Sequence, residues 1–259
     1  MTVPAITAAS GGAIGAPLLI LGPSLGTAAP LWDAAGHLLS EYFSILSWDL
    51  PGHGLSHPAS EPCTVSELVD AVIALADERD EYRFAYAGVS LGGAVGLELA
   101  LRHPERLDAV STICSVAAFG EPGEWLERAE LVRQQSTAAL VDASAKRWFG
   151  PDFIAANPRV ASGLLHTLSD TDDVSYALCC EALAGYHGRG RRGESGTPRG
   201  GVAGRVDQVA LPSVVEAMAW ATKCGRAVEV ANAGHLAPAE QPSRVAQILT
   251  DFFTKGNAS

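Results

Sequence analysis

Gly88-Val89-Ser90-Leu91-Gly92 constrains this chain more than any other stretch. Residues 82–89 are apolar and rich in aromatic and β-branched side chains, so they read as a buried strand. Residues 91–103 are small and apolar at helical spacing and stop at Pro104. A serine squeezed between strand and helix is forced into a strained backbone conformation, with its hydroxyl pushed out above the sheet. Gly88 and Gly92 leave room for neighbouring backbone. The Leu91 N–H then opens a helix, where it points at developing negative charge. The plain alternative is a glycine-rich turn with an idle serine. The rest of the chain weighs against it.

Strands and helices alternate around this element. Strands are expected at 17–22, 43–49, 82–89, 107–114 and 226–231, and helices at 30–40, 65–77, 91–103 and 244–253. Such alternation predicts a mostly parallel sheet with helices on both faces. Between residues 121 and 190 the alternation stops. Apolar residues there recur at three and four positions, giving helices at 124–134, 138–148, 158–168 and 173–186. The chain therefore divides into an α/β core, 1–120 with 191–259, and a helical cap, 121–190.

A serine nucleophile needs a base and an orienting acid. His235 follows a strand and precedes the last helix, and Asp207 lies upstream of that strand. The other histidines sit on helices or in polar loops; His53, between Gly52 and Gly54, belongs to a tight structural turn. A second oxyanion donor should come from the loop Gly22-Pro23-Ser24-Leu25-Gly26-Thr27, as the N–H of Leu25 or, one register back, of Ser24. The segment before Asp207 is awkward. Arg199 and the glycines around it are poor strand material, yet they must enter the sheet beside the final strand if Asp207 is to reach His235.

Composition excludes several classes. The net charge of -11 argues against nucleic acid and anionic membranes as partners. No apolar run approaches the ~20 residues of a membrane span. The N-terminus has no basic patch before an apolar stretch, so no secretory signal is expected. Five cysteines, Cys63, Cys114, Cys179, Cys180 and Cys224, make no metal or redox spacing and read as reduced thiols in the cytoplasm.

The turn Asp49 through Ser56 matches a pattern of the α/β-hydrolase superfamily, and the order Ser90, Asp207, His235 is the one that architecture uses. More narrowly, four segments resemble 3-oxoadipate enol-lactonases. They are Ser24-Leu25-Gly26-Thr27; the elbow with Gly93; Arg147-Trp148-Phe149 with Tyr176 through Leu183; and Gly234 through Pro242. The resemblance implies an α/β-hydrolase fold with a helical cap and a triad of Ser90, Asp207 and His235. It also implies a cytoplasmic enzyme of the β-ketoadipate route that opens a small anionic lactone with no metal or organic cofactor. A carboxylesterase or C–C bond hydrolase would use the same triad, and a non-catalytic ligand sensor the same fold.

An anionic lactone approaching an acidic protein needs local cations, and a guanidinium matches a carboxylate best. The cap offers Arg128, Arg133 and Arg147 near Trp125 and Trp148. The expected substrate-binding set is Ser24, Arg128 and Arg133, with Trp148 as an apolar wall.

Overall fold

The structure, a computed structural model, describes residues 3–13, 15–188, 197–220 and 225–255. Seven strands form one sheet: β1 (Ala8–Gly12), β2 (Leu18–Gly22), β3 (Ser44–Trp48), β4 (Phe84–Val89), β5 (Leu107–Ile113), β6 (Arg199–Gly204) and β7 (Gly225–Val230). Their order is β1-β3-β2-β4-β5-β6-β7. Only β1 is antiparallel to its neighbour; every other pair is parallel. Each residue of β2 and β4 is buried, as central parallel strands covered on both faces must be.

Helices α1 (Asp33–Leu39), α2 (Val65–Asp77) and α3 (Leu91–Arg102) follow β2, β3 and β4. A capping box starts α2: the Thr64 side chain accepts from Glu67 N–H at 3.2 Å, and the Glu67 carboxylate accepts from Thr64 N–H at 2.8 Å. Five helices fall between β5 and β6: α4 (Pro122–Gln135), α5 (Val141–Trp148), α6 (Phe153–Ala156), α7 (Pro158–Asp170) and α8 (Asp173–Ala184). They form the inserted helical layer, with α4 packed along α8. The chain closes with α9 (Pro212–Trp220), α10 (Ala237–Glu240) and α11 (Pro242–Lys255).

Several elements depart from expectation, the short α6 and α10 among them. β1 carries none of the residues that mark strands and is mostly exposed; it exists because β3 offers it an edge. The helix expected at 138–148 is a 3-10 turn, Thr137–Leu140, running into α5, because Asp173 on α8 accepts from the Thr137 N–H at 2.7 Å. α9 was not expected at all.

β6 sits between β5 and β7 with Val110 opposite Arg199 and Arg199 opposite Gly225. Two of its glycines, Gly200 and Gly204, have close neighbours over them. A Cβ on Gly200 would meet the Phe252 ring at 3.3 Å, so the ring of α11 covers the bare backbone. A Cβ on Gly204 would lie 1.9 Å from the Gly234 carbonyl oxygen. At Gly204 close backbone approach, rather than strand propensity, selects glycine. Cys63, Cys114, Cys179 and Cys180 are buried free thiols; Cys224, and residues 189–196 of the glycine-rich segment, lie outside the described residues. No helix among the described residues is long and apolar enough to cross a membrane.

Candidate active site

Ser90 joins β4 to α3 at φ 53°, ψ −112°, a backbone conformation that side-chain-bearing residues rarely adopt. The turn closes only because its neighbours lack side chains. A Cβ on Gly88 would lie 2.2 Å from Gly92 O, and one on Gly92 2.6 Å from Pro23 O. Among the bonds that hold the turn, Ser90 N–H donates to Ile113 O at 3.0 Å, and Ser115 Oγ donates to Ser90 O at 2.7 Å.

His235 and Asp207 come from the ends of neighbouring strands and are each 2% exposed. The His235 Nδ1 lies 3.0 Å from Asp207 Oδ2. A carboxylate can only accept, so Nδ1 carries the proton and Nε2 is left with its lone pair. The other oxygen, Asp207 Oδ1, accepts from the N–H groups of Val209 at 2.7 Å and Ala210 at 3.2 Å, which fixes the carboxylate's plane. The His235 backbone N–H donates to Trp148 O at 2.8 Å, tying the loop to the end of α5.

Cys114, at φ 48° just past β5, brings its sulfur to within 4.8 Å of donor atoms on Asp207 and His235. The trio suits a metal poorly. Its carboxylate and imidazole already bond each other, and burial, then the Asp207 charge, push the thiol's pKa well up.

In the loop after β2 the two candidate amides differ in their bonding. Ser24 N–H donates to Thr27 Oγ1 at 3.0 Å, whereas the N–H groups of Leu25 and Leu91 donate to no acceptor among the described residues. His53 holds this loop. Its Nε2 accepts from Gly26 N–H at 3.2 Å while Nδ1–H donates to Pro51 O at 2.8 Å. The ring is fully buried, and burial lowers its pKa to about 4 against smaller opposing effects of Pro51 O and Asp172. His53 is therefore neutral near pH 7, in the one tautomer that can accept from Gly26. The turn around His53 is legible in the sequence but its Gly26 partner is not, since a bond to backbone leaves no signature in residue types.

Ser90, His235, Ser24, Leu25 and Trp148 line one cavity of about 30 Å³. Arg128 and Arg147 also reach it. The Arg128 guanidinium lies over Trp125 at 5.7 Å and over Tyr176 at 6.0 Å, and its Nε is buried without an acceptor. Arg147, exposed at the rim, has no hydrogen-bond or ion-pair partner among the described residues. Arg133, expected at this pocket, instead pairs with Glu181 of α8 at 2.7 Å and does not line the cavity. Helical spacing could not tell which way it faced. Trp125, Arg128, Arg147 and Val209 form a wall shared with a groove of about 760 Å³, whose other sides are largely apolar.

A strained serine at the end of a parallel strand, sharing a cavity with the histidine of an Asp–His pair beneath inserted helices, is the arrangement of the α/β hydrolases. The chain belongs to that group: residues 18–248 match the alpha/beta hydrolase family. It is 33% identical over 230 residues to 3-oxoadipate enol-lactonase 2 of Acinetobacter baylyi, covering 87% of this chain and 84% of that one. It is 30% identical to 3-oxoadipate enol-lactonase 1 of the same organism, covering 92% and 88%. Among solved structures, the enol-lactonase from Burkholderia xenovorans LB400 is similar with a TM-score of 0.92 and 31% identity, over 96% of both chains.

Proposed function

We propose that this protein opens 3-oxoadipate enol-lactone, a small cyclic enol ester bearing a carboxylate, by a serine–histidine–aspartate mechanism in the cytoplasm. The observation that carries the chemistry is that Ser90, Leu25 and His235, the last bonded to Asp207, line one cavity, while the Leu25 and Leu91 N–H groups have no acceptor among the described residues. The near full-length similarity to two enol-lactonases supports the narrower substrate.

In this reading His235 Nε2 takes the Ser90 proton as Oγ attacks the lactone carbonyl, and Asp207 stabilises the imidazolium. The Leu25 and Leu91 N–H groups receive the oxyanion; each such donor is worth about 2.7–4 kcal/mol. Collapse breaks the ring C–O bond. The departing enolate, a better leaving group than a simple alkoxide, takes a proton from His235 and stays tethered to the acyl group. Water deprotonated by His235 then cleaves the acyl-enzyme, and the enol tautomerises to 3-oxoadipate. Ser24 and Trp148 flank the reacting centre. Because Arg133 is paired with Glu181, the substrate carboxylate falls to Arg128 and Arg147.

The test follows lactone absorbance with purified protein beside a panel of short neutral p-nitrophenyl esters. The expected result is rapid loss of lactone, abolished in Ser90→Ala with the fold intact, and covalent labelling of Ser90 by a fluorophosphonate. Hydrolysis of the neutral esters alone would move the assignment to a carboxylesterase. Parent-like turnover by Ser90→Ala would remove the nucleophile.

A further inference from the structure

Glu240 ends α10, is 6% exposed, and has no part in the chemistry above. Its two oxygens reach two separate pieces of backbone. Oε2 accepts from Gly150 N–H at 2.6 Å, and Oε1 accepts from Gly234 N–H at 2.9 Å. Gly150 follows Trp148 and Phe149 at the end of α5, so it belongs to the inserted layer that walls the cavity. Gly234 is the residue before His235. Two further bonds join the same pieces: the N–H groups of His235 and Leu236 both donate to Trp148 O, at 2.8 and 3.3 Å. The backbones touch, since a Cβ on Gly234 would lie 2.8 Å from both Gly150 N and Trp148 O.

A buried carboxylate is expensive, and a neutral side chain would fill this space at lower cost. What only the carboxylate supplies is a pair of acceptors, one aimed at each piece. We propose that Glu240 is a positioning residue that locks the Trp148 wall and His235 into one body. Closing the insertion over the substrate and aligning the histidine are then a single event. The proposal rests on the reading of His235 as the catalytic base.

Glu240→Gln keeps the shape but turns one acceptor into a donor facing an amide N–H. Kinetics well below the variant's Tm should show kcat for the lactone down about 10-fold or more with KM raised as well, because the base and the wall loosen together. Loss of stability alone would lower Tm and leave both constants at parent values, and that result overturns the proposal. Amide hydrogen exchange gives a second readout. Gly150 and Gly234 should exchange faster by similar factors in Glu240→Gln, with β4 and β5 unchanged; acceleration at only one of them sinks the idea. Should the variant not fold, the parent protein decides. Filling the cavity with a fluorophosphonate on Ser90 should slow both amides in step, and a response at one alone counts against the clamp. If the parent shows no Ser90-dependent hydrolysis, the hydrolase reading fails, while coupled exchange still judges the clamp by itself.

Discussion

His53 has both ring nitrogens committed to backbone, one accepting from Gly26 and one donating to Pro51. A second proton on that ring would set two N–H groups against each other beside the Leu25 amide. The cost appears as a pH dependence of stability. The imidazole titrates at 6.5 in the unfolded chain and at about 4 in the fold. Between those values the unfolded chain binds a proton that the native state refuses. Stability therefore falls as pH drops through 6.5 toward 4, by about 3 kcal/mol in all, and is insensitive to this group above 6.5. Urea unfolding at pH 7 and pH 5 checks it: the parent should lose about 2 kcal/mol more than His53→Gln between those conditions. Equal losses would mean that the ring titrates normally in the fold. In the folded protein the anchor of the loop carrying Leu25 should hold across that range and give way only as pH falls through about 4, where the native ring takes up its proton.

At the scale of elements, β6 shows how sequence and packing divide the work. Its composition argues against a strand, yet it pairs on both sides, because neighbouring groups occupy the space its side chains would need. The two glycines should answer substitution differently. Gly204→Ala drives a Cβ to 1.9 Å from Gly234 O and 2.7 Å from Ala233 O, both backbone atoms in the loop that carries His235. It should cost about 2 kcal/mol or more and lower kcat. Gly200→Ala meets only the edge of the half-buried Phe252 ring at 3.3 Å, which can yield, and should lie between neutral and about 1 kcal/mol stabilising. Denaturant midpoints for the two variants give the comparison, and equal destabilisation would refute it. The same division sets what could be read from residue types. The elbow at Ser90 and the order Asp207, His235 were legible because each is a local pattern next to a strand. The roles of His53 and Glu240 were not, since each depends on the backbone N–H of a residue distant in sequence, Gly26 for His53 and Gly150 for Glu240. β1 was invisible for want of any strand-forming residue, and Arg133 was misplaced because only α8, with Glu181, decides which way it faces.

For the whole molecule, the tension lies between a net charge of -11 and a cavity lined by Arg128 and Arg147, neither of which is paired with a carboxylate among the described residues. An anionic lactone is repelled at long range and attracted only once it reaches Arg128 and Arg147. The free space at Ser90, about 30 Å³, adjoins a groove of about 760 Å³ across the shared residues Trp125, Arg128, Arg147 and Val209, and on the proposed function that groove is the way in for the lactone. The two fields respond differently to salt. Repulsion from scattered surface charge acts over a Debye length that shrinks from about 30 Å at 0.01 M to about 10 Å at 0.1 M. Attraction at the half-buried Arg128 acts at contact and is screened much less. Raising ionic strength over that range should therefore increase kcat/KM for the lactone, by about two- to threefold, and leave a neutral ester unchanged. Arg128→Met or Arg147→Met should raise KM for the lactone ~10-fold, about 1.4 kcal/mol, and spare the neutral ester. In those variants less attraction opposes the repulsion, so the rise with salt should be steeper. A parent kcat/KM that falls with salt would mean that the guanidiniums already focus the anion from a distance. Arginine variants that treat both substrates alike would remove the carboxylate from the recognition scheme and, with it, the reason to prefer this lactone over a neutral ester.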